Sequence, residues 1–161
     1  MMRKLKKTVK EKKMFSYIVE VVLGEKTDPF VVQETVADYL GIQLSETDKF
    51  ARADRLRKSF MAISNGGKNR ILVILDDVWE PFDMEDIGLS PFPNQGVDFK
   101  VLLTSRGRYI CAAMGAEATS VLNVNLLTDA EAQSLFNRYV ESSDPELKEI
   151  GETIVQQCAG L

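Results

Sequence analysis

Histidine is missing from all 161 residues. That absence excludes the Ser-His-Asp triad, the Cys-His pair and every histidine-based metal site. Cysteine is scarce. Cys111 and Cys158 stand far apart with no CxxC spacing, which suits a reduced, cytosolic chain with two packed thiols. Long apolar runs are missing as well. None, the run at residues 71–75 included, approaches the length of a membrane span. The basic N-terminus has no apolar stretch behind it and does not read as a secretory signal. There is no internal repeat, and no low-complexity segment beyond that basic start.

What is present suits a single globular domain. The length can bury a real core. The net charge of -4 conceals an asymmetry: residues 1–13 carry seven Lys or Arg against Glu11 alone, and the remainder is strongly acidic. A basic arm can bind nucleic acid or anionic lipid, or be a solvated helix face. The solvated face is the expectation, because no aromatic residue is interleaved with the lysines. Any nucleic-acid binding is expected to be weak and salt-sensitive. Residues 3–13 are expected to form a helix with Leu5 and Val9 on a thin apolar face.

Further along, apolar runs alternate with helical patterns, which predicts an α/β fold with a parallel sheet flanked by helices. Strands are expected at residues 17–23, 71–75 and 101–103, with a weaker one at 121–124. Residues 71–75 are apolar on both faces, as a central parallel strand should be. Asp28-Pro29 reads as an N-cap and first helical position. Val32, Val36, Tyr39 and Leu40 form one face, and Gly41 stops the helix. A second helix places Phe50, Ala53, Leu56, Phe60 and Ile63 on one stripe, and Asn65-Gly66-Gly67 breaks it. Thr128 to Glu131 reads as a capping box. The helix that it opens turns Ala132, Leu135, Phe136 and Tyr139 inward. Asp144-Pro145 starts a last helix with Leu147, Ile150, Ile154, Val155 and Cys158 inward.

Two segments carry chemistry. ILVILDDVWE, residues 71–80, is a buried strand ending in Asp76 and Asp77. Ligands of open α/β sheets bind at that edge, where an acid can hold Mg²⁺ beside a nucleotide's phosphates. The same pattern also fits a plain strand end with solvated acids. KVLLTSR, residues 100–106, ends in Thr104, Ser105 and Arg106. A guanidinium there can contact a terminal phosphate, or it can be an ordinary surface arginine.

Taken together, these segments resemble a known family. ILVILDDVW is similar to the Walker B (kinase-2) motif of plant NB-ARC domains, the nucleotide-binding domains of NBS-LRR disease-resistance proteins. Trp79 in that position resembles the non-TIR, coiled-coil class. FKVLLTSR resembles the next family motif, with its sensor arginine. LLTDAEAQSLF (residues 126–136), CAGL (158–161) and RADRLR (52–57) are similar to further family stretches, and CAGL looks like the start of the GLPLA motif. The resemblance covers nearly the whole chain.

It implies a three-layer P-loop NTPase-like fold used as a slow ATPase-type switch, off with ADP and on with ATP, in cytoplasmic defence signalling. By the same resemblance Asp76 is the metal acid, Asp77 a candidate catalytic base, and Thr104 and Arg106 nucleotide contacts. Gly160 and Leu161 open the motif that lies near the adenine. The implied ligands are ADP or ATP with Mg²⁺. The implied partners are coiled-coil and leucine-rich-repeat domains, or an intact paralogue. A mechanical ATPase fits less well, because Trp79, Glu131-Ala132 and CAGL point to the defence family.

The chain departs from the family pattern in several places. It contains no GxxxxGK[ST], and Gly66-Gly67-Lys68 precedes a strand and reads as a turn. Val22-Leu23-Gly24 replaces the family's Val-Ser-Gln. The resemblance therefore implies a partial NB-ARC domain over residues 1–161, lacking the first strand and P-loop. Residues 1–13 would be a basic remnant of the P-loop helix, and the GLPLA motif would be cut. Nucleotide binding would be impaired. A truncated interaction module without nucleotide is the alternative. The resemblance also implies that the absent strand lies between residues 71–75 and 101–104. Those strands would then either pair directly, bringing Asp76 near Arg106, or need a partner's strand.

Overall fold

A computed structural model describes residues 2–25, 28–89, 97–140 and 145–161. The chain forms two compact units, Met1–Val121 and Leu122–Leu161. The first contains a three-stranded parallel sheet in the order β1-β2-β3, with β1 at Tyr17–Gly24, β2 at Ile71–Val78 and β3 at Phe99–Ser105. Helices cover both faces, which gives the α/β, P-loop NTPase-like arrangement.

The central strand explains the layering. Side chains alternate across a strand, so the apolar run of β2 feeds two cores. Ile71, Val73 and Leu75 join Val19 and Val21 of β1 against Val32, Val36, Leu56 and Phe60. Leu72 and Ile74 point the other way and meet Val9, Leu5 and Met2 of α1, Met2–Glu11. The basic start is thus a helix whose thin apolar face lies on the sheet and whose Lys6 pairs with Glu20 of β1.

The opposite layer is α2, Pro29–Leu40, and α3, Lys49–Ser64. Asp28 caps α2 by accepting from the Phe30 N–H at 2.9 Å, and Pro29 takes the first turn. Gly41 ends it in the left-handed region. Asp48 caps α3 through the Ala51 N–H at 2.8 Å. Val32, Val36, Ala53, Leu56 and Phe60 are buried as expected, whereas Tyr39 and Phe50 are exposed. These two rings sit at the margins of their stripes, where a helix face turns toward water. Gln33 was not singled out by its sequence context, yet it is fully buried. Its Nε2 donates to the Lys49 carbonyl at 2.9 Å and the Asp86 carbonyl at 2.6 Å. It ties α2 to the start of α3 and to a 3-10 turn at Met84–Ile87. The Asn65-Gly66-Gly67 stretch is a left-handed turn into β2 rather than a phosphate loop.

β2 and β3 pair directly, in unbroken register from Ile71 opposite Phe99 to Leu75 opposite Leu103. Of the two outcomes expected for these strands, direct pairing is the one found among the described residues. β1 and β3 are the sheet's outer strands among the described residues. A short helix, α4 at Arg108–Ala113, follows β3.

The second unit holds α5, Asp129–Asn137, and α6, Pro145–Cys158. The capping box is present: the Thr128 hydroxyl accepts from the Glu131 N–H, and the Glu131 carboxylate accepts from the Thr128 N–H at 2.9 Å. The expected start at Asp144 lies outside the described residues. The two helices approach at Gly151, which is buried against Phe136. Three expectations fail here. Residues 121–124 form no strand. Tyr139, Leu147, Ile150 and Ile154, expected inward, are substantially exposed. Cys158 is exposed rather than packed. A pair of helices buries only the seam where they touch, so the rest of an apolar stripe stays at the surface.

Candidate functional site at the ends of β2 and β3

The site begins where β2 stops being regular. Its register with β3 shifts between Leu75 and Val78. Asp77 occupies the left-handed region at φ 59°, a conformation that aspartate tolerates better than most residues. In an unbroken strand Asp76 and Asp77 would point to opposite faces. The irregularity re-aims them, a common use of such a bulge near a functional site.

One hydroxyl then organises both acids. Thr104 Oγ1 accepts from the Asp77 N–H at 2.9 Å and donates to Asp76 Oδ1. This gives the backbone at the bulge a partner and fixes one oxygen of Asp76. Thr104 thus sits beside both acids.

Arg106 follows two residues later. Its Nε lies 3.9 Å from Asp77 Oδ1, and its guanidinium sits 4.4 Å from the centre of the Trp79 ring. The arginine side chain is 75% exposed, so the ion pair alone contributes little. The direct pairing of the strands therefore brings Arg106 to Asp77, while Asp76 is engaged by Thr104. The sequence pattern makes Trp79 a class marker and does not reveal its contact with Arg106. A guanidinium within reach of an indole is the one signal that could have suggested it.

Gly160 and Leu161 belong to the second unit. The Gly160 carbonyl accepts from the Leu127 N–H at 2.8 Å, and Leu161 is almost fully exposed.

Two adjacent carboxylates and a hydroxyl are hard oxygen donors. They suit Mg²⁺, which commonly takes one or two carboxylates and fills its remaining positions with water and phosphate. No cluster of three or more His, Cys, Asp or Glu stands among the described residues, so a dedicated all-protein cage is not what this edge offers. No helix among the described residues is long and apolar enough to cross a membrane.

Acids at the end of a buried parallel strand, an arginine at the end of its neighbour and helices on both faces match a P-loop NTPase-like α/β arrangement, in which ligands bind at that edge. The family model described as NB-ARC domain matches residues 1–146. The chain belongs to the NB-ARC domain family. It is similar to disease resistance protein UNI of Arabidopsis thaliana, 31% identical over 157 residues that cover 91% of this chain and 16% of that protein. It is also similar to disease resistance protein SUMM2 of the same plant, 26% identical over 151 residues, again 91% of this chain and 16% of the relative. The chain thus spans about one-sixth of the length of these relatives.

Proposed function

We propose that this chain contributes the phosphate-responsive edge of the ADP/ATP switch in a plant disease-resistance protein of the coiled-coil, leucine-rich-repeat kind, acting in the cytoplasm. The observation that carries the reading is the convergence of Asp76, Asp77, Thr104 and Arg106 on one sheet edge. In this reading Asp76 holds Mg²⁺ through its carboxylate, and Asp77 is the candidate base for an attacking water. Thr104 keeps both acids in place, and Arg106 meets a terminal phosphate. Bound Mg²⁺ would neutralise phosphate charge beside the acids. Gly160 and Leu161 would serve the adenine side, and α1 corresponds to the helix that follows a phosphate loop.

The 161 residues contain no GxxxxGK[ST], so they supply no glycine-rich amide cradle and no P-loop lysine. The chain by itself is therefore expected to bind ADP or ATP weakly or not at all. Titration calorimetry with Mg-ADP should give no saturable heat at micromolar nucleotide. Joined to the strand–GxxxxGK[ST] segment of an NB-ARC relative, it should bind Mg-ADP. In that joined protein Asp76→Asn should weaken Mg-dependent binding about tenfold or more. Binding that ignores both Asp76→Asn and Arg106→Gln would remove the site assignment. The alternative reading is an interaction module that regulates an intact paralogue without nucleotide. Failure of the joined protein to bind nucleotide at all would favour it.

A further inference from the structure

Arg106 is exposed at the strand edge, yet its guanidinium has two specific neighbours. Both come from the end of β2, whereas the arginine follows β3. Trp79 supplies the larger surface. Its indole Nε1 is inaccessible to solvent and has no hydrogen-bond partner among the described residues, so packing rather than polar bonding holds the ring. Asp77 supplies the charge, and its backbone is pinned through Thr104. A planar guanidinium suits an aromatic face, and an indole gives the strongest attraction of the three aromatic side chains.

We infer that Trp79 is the positioning residue for Arg106: its ring, with the Asp77 carboxylate, holds the guanidinium at the sheet edge in the ligand-free chain. Each contact is weak on its own. A long, exposed arginine otherwise samples many rotamers, and the contacts with Trp79 and Asp77 select among them. The arrangement also couples Arg106 to the irregular end of β2, because Asp77 is placed by the bulge that re-aims Asp76. The role as a holder for a phosphate-sensing arginine rests on the function proposed above. The contact itself requires no nucleotide.

The test is made on the ligand-free full chain, so a failure here is distinct from a failure of nucleotide binding in the joined protein. Trp79 is the chain's only tryptophan, and its emission reports this position alone. Arg106→Gln uncovers the ring face and should raise acrylamide quenching about twofold. Asp77→Asn should move it in the same direction by less, Arg106→Lys should restore part of the protection, and Lys100→Gln on β3 should leave it unchanged. In a nitrogen-15 spectrum the Arg106 Nε–H should be shifted upfield by the indole ring current. That shift should vanish in Trp79→Leu and persist in part in Trp79→Phe, which a purely structural role for the tryptophan would not require. An Arg106 Nε–H at its unstructured position in the wild-type chain would overturn the inference. So would quenching unchanged by Arg106→Gln in a protein whose circular dichroism is intact.

Discussion

Thr104 gives one hydroxyl two obligations, accepting from the Asp77 amide and donating to the Asp76 carboxylate. Valine has nearly the same shape and can do neither. Thr104→Val should cost about 1 kcal/mol, the lower end of the penalty for leaving polar groups unpaired, because these groups are only part-buried. Thr104→Ser keeps the hydroxyl and should cost less. Urea unfolding of the two variants checks the order, and equal stability would refute the bridging role. Sequence alone named Thr104 as a nucleotide contact and did not foresee its service to both acids. The bulge that makes this possible depends on backbone register, which strand alternation does not encode. Glu131 offers a second residue-scale test. The backbone N–H of Thr128, helped by the Thr128 hydroxyl, holds its carboxyl below the ordinary value of 4.5. A depressed folded value means that the cap stabilises above the ordinary value and is lost as pH falls through the lowered one. Amide protection in the first turn of α5, taken relative to the intrinsic exchange rate at each pH, should therefore fall below about pH 4.5, the ordinary carboxylate range. Glu131→Gln should abolish that dependence.

The elements were read unevenly, and the reasons are physical. β2 announced itself because both of its faces are covered, so the apolar run had no polar interruption. The caps at Asp28 and Thr128 were legible, because capping is local chemistry, whereas the Asp48 cap emerged only from the structure. Residues 121–124 misled, since apolar residues without a partner strand form no ladder. The turn at Gly88 was not foreseen at all. It lies at φ 75°, and a Cβ there would stand 2.8 Å from the Ala53 carbonyl, the Arg57 amide and the Leu56 Cβ. Two of those neighbours are helix backbone and cannot step aside. Gly88→Ala should thus cost about 3 kcal/mol by combining backbone strain with overpacking. Thermal unfolding should show a lower midpoint, and an unchanged one would mean that the turn rearranges freely. Gly66→Ala, at a turn with open space around it, isolates the strain alone and should cost less.

At the scale of the whole molecule the two units differ in how much they bury. The first has apolar cores on both faces of its sheet. The second leaves most of its apolar side chains in water, with Tyr139 84% exposed. Local opening follows burial. Hydrogen exchange should leave β2 amides slowest and α5 and α6 amides fastest, and uniform protection across both units would contradict the division. Family membership was legible from short ordered motifs, but this inequality was not, because a helical apolar stripe does not say whether anything covers it. The pairing of β1 with β2 has one more consequence. Tyr17 pairs with Ile71, so the first strand must wait for some fifty residues of later chain. At about 5–20 residues per second, a ribosome needs roughly 3–10 s to deliver that partner. For that interval Val19 and Val21 belong to an unfinished nascent chain, and the early helices Asp28 and Asp48 cap can form before any sheet exists.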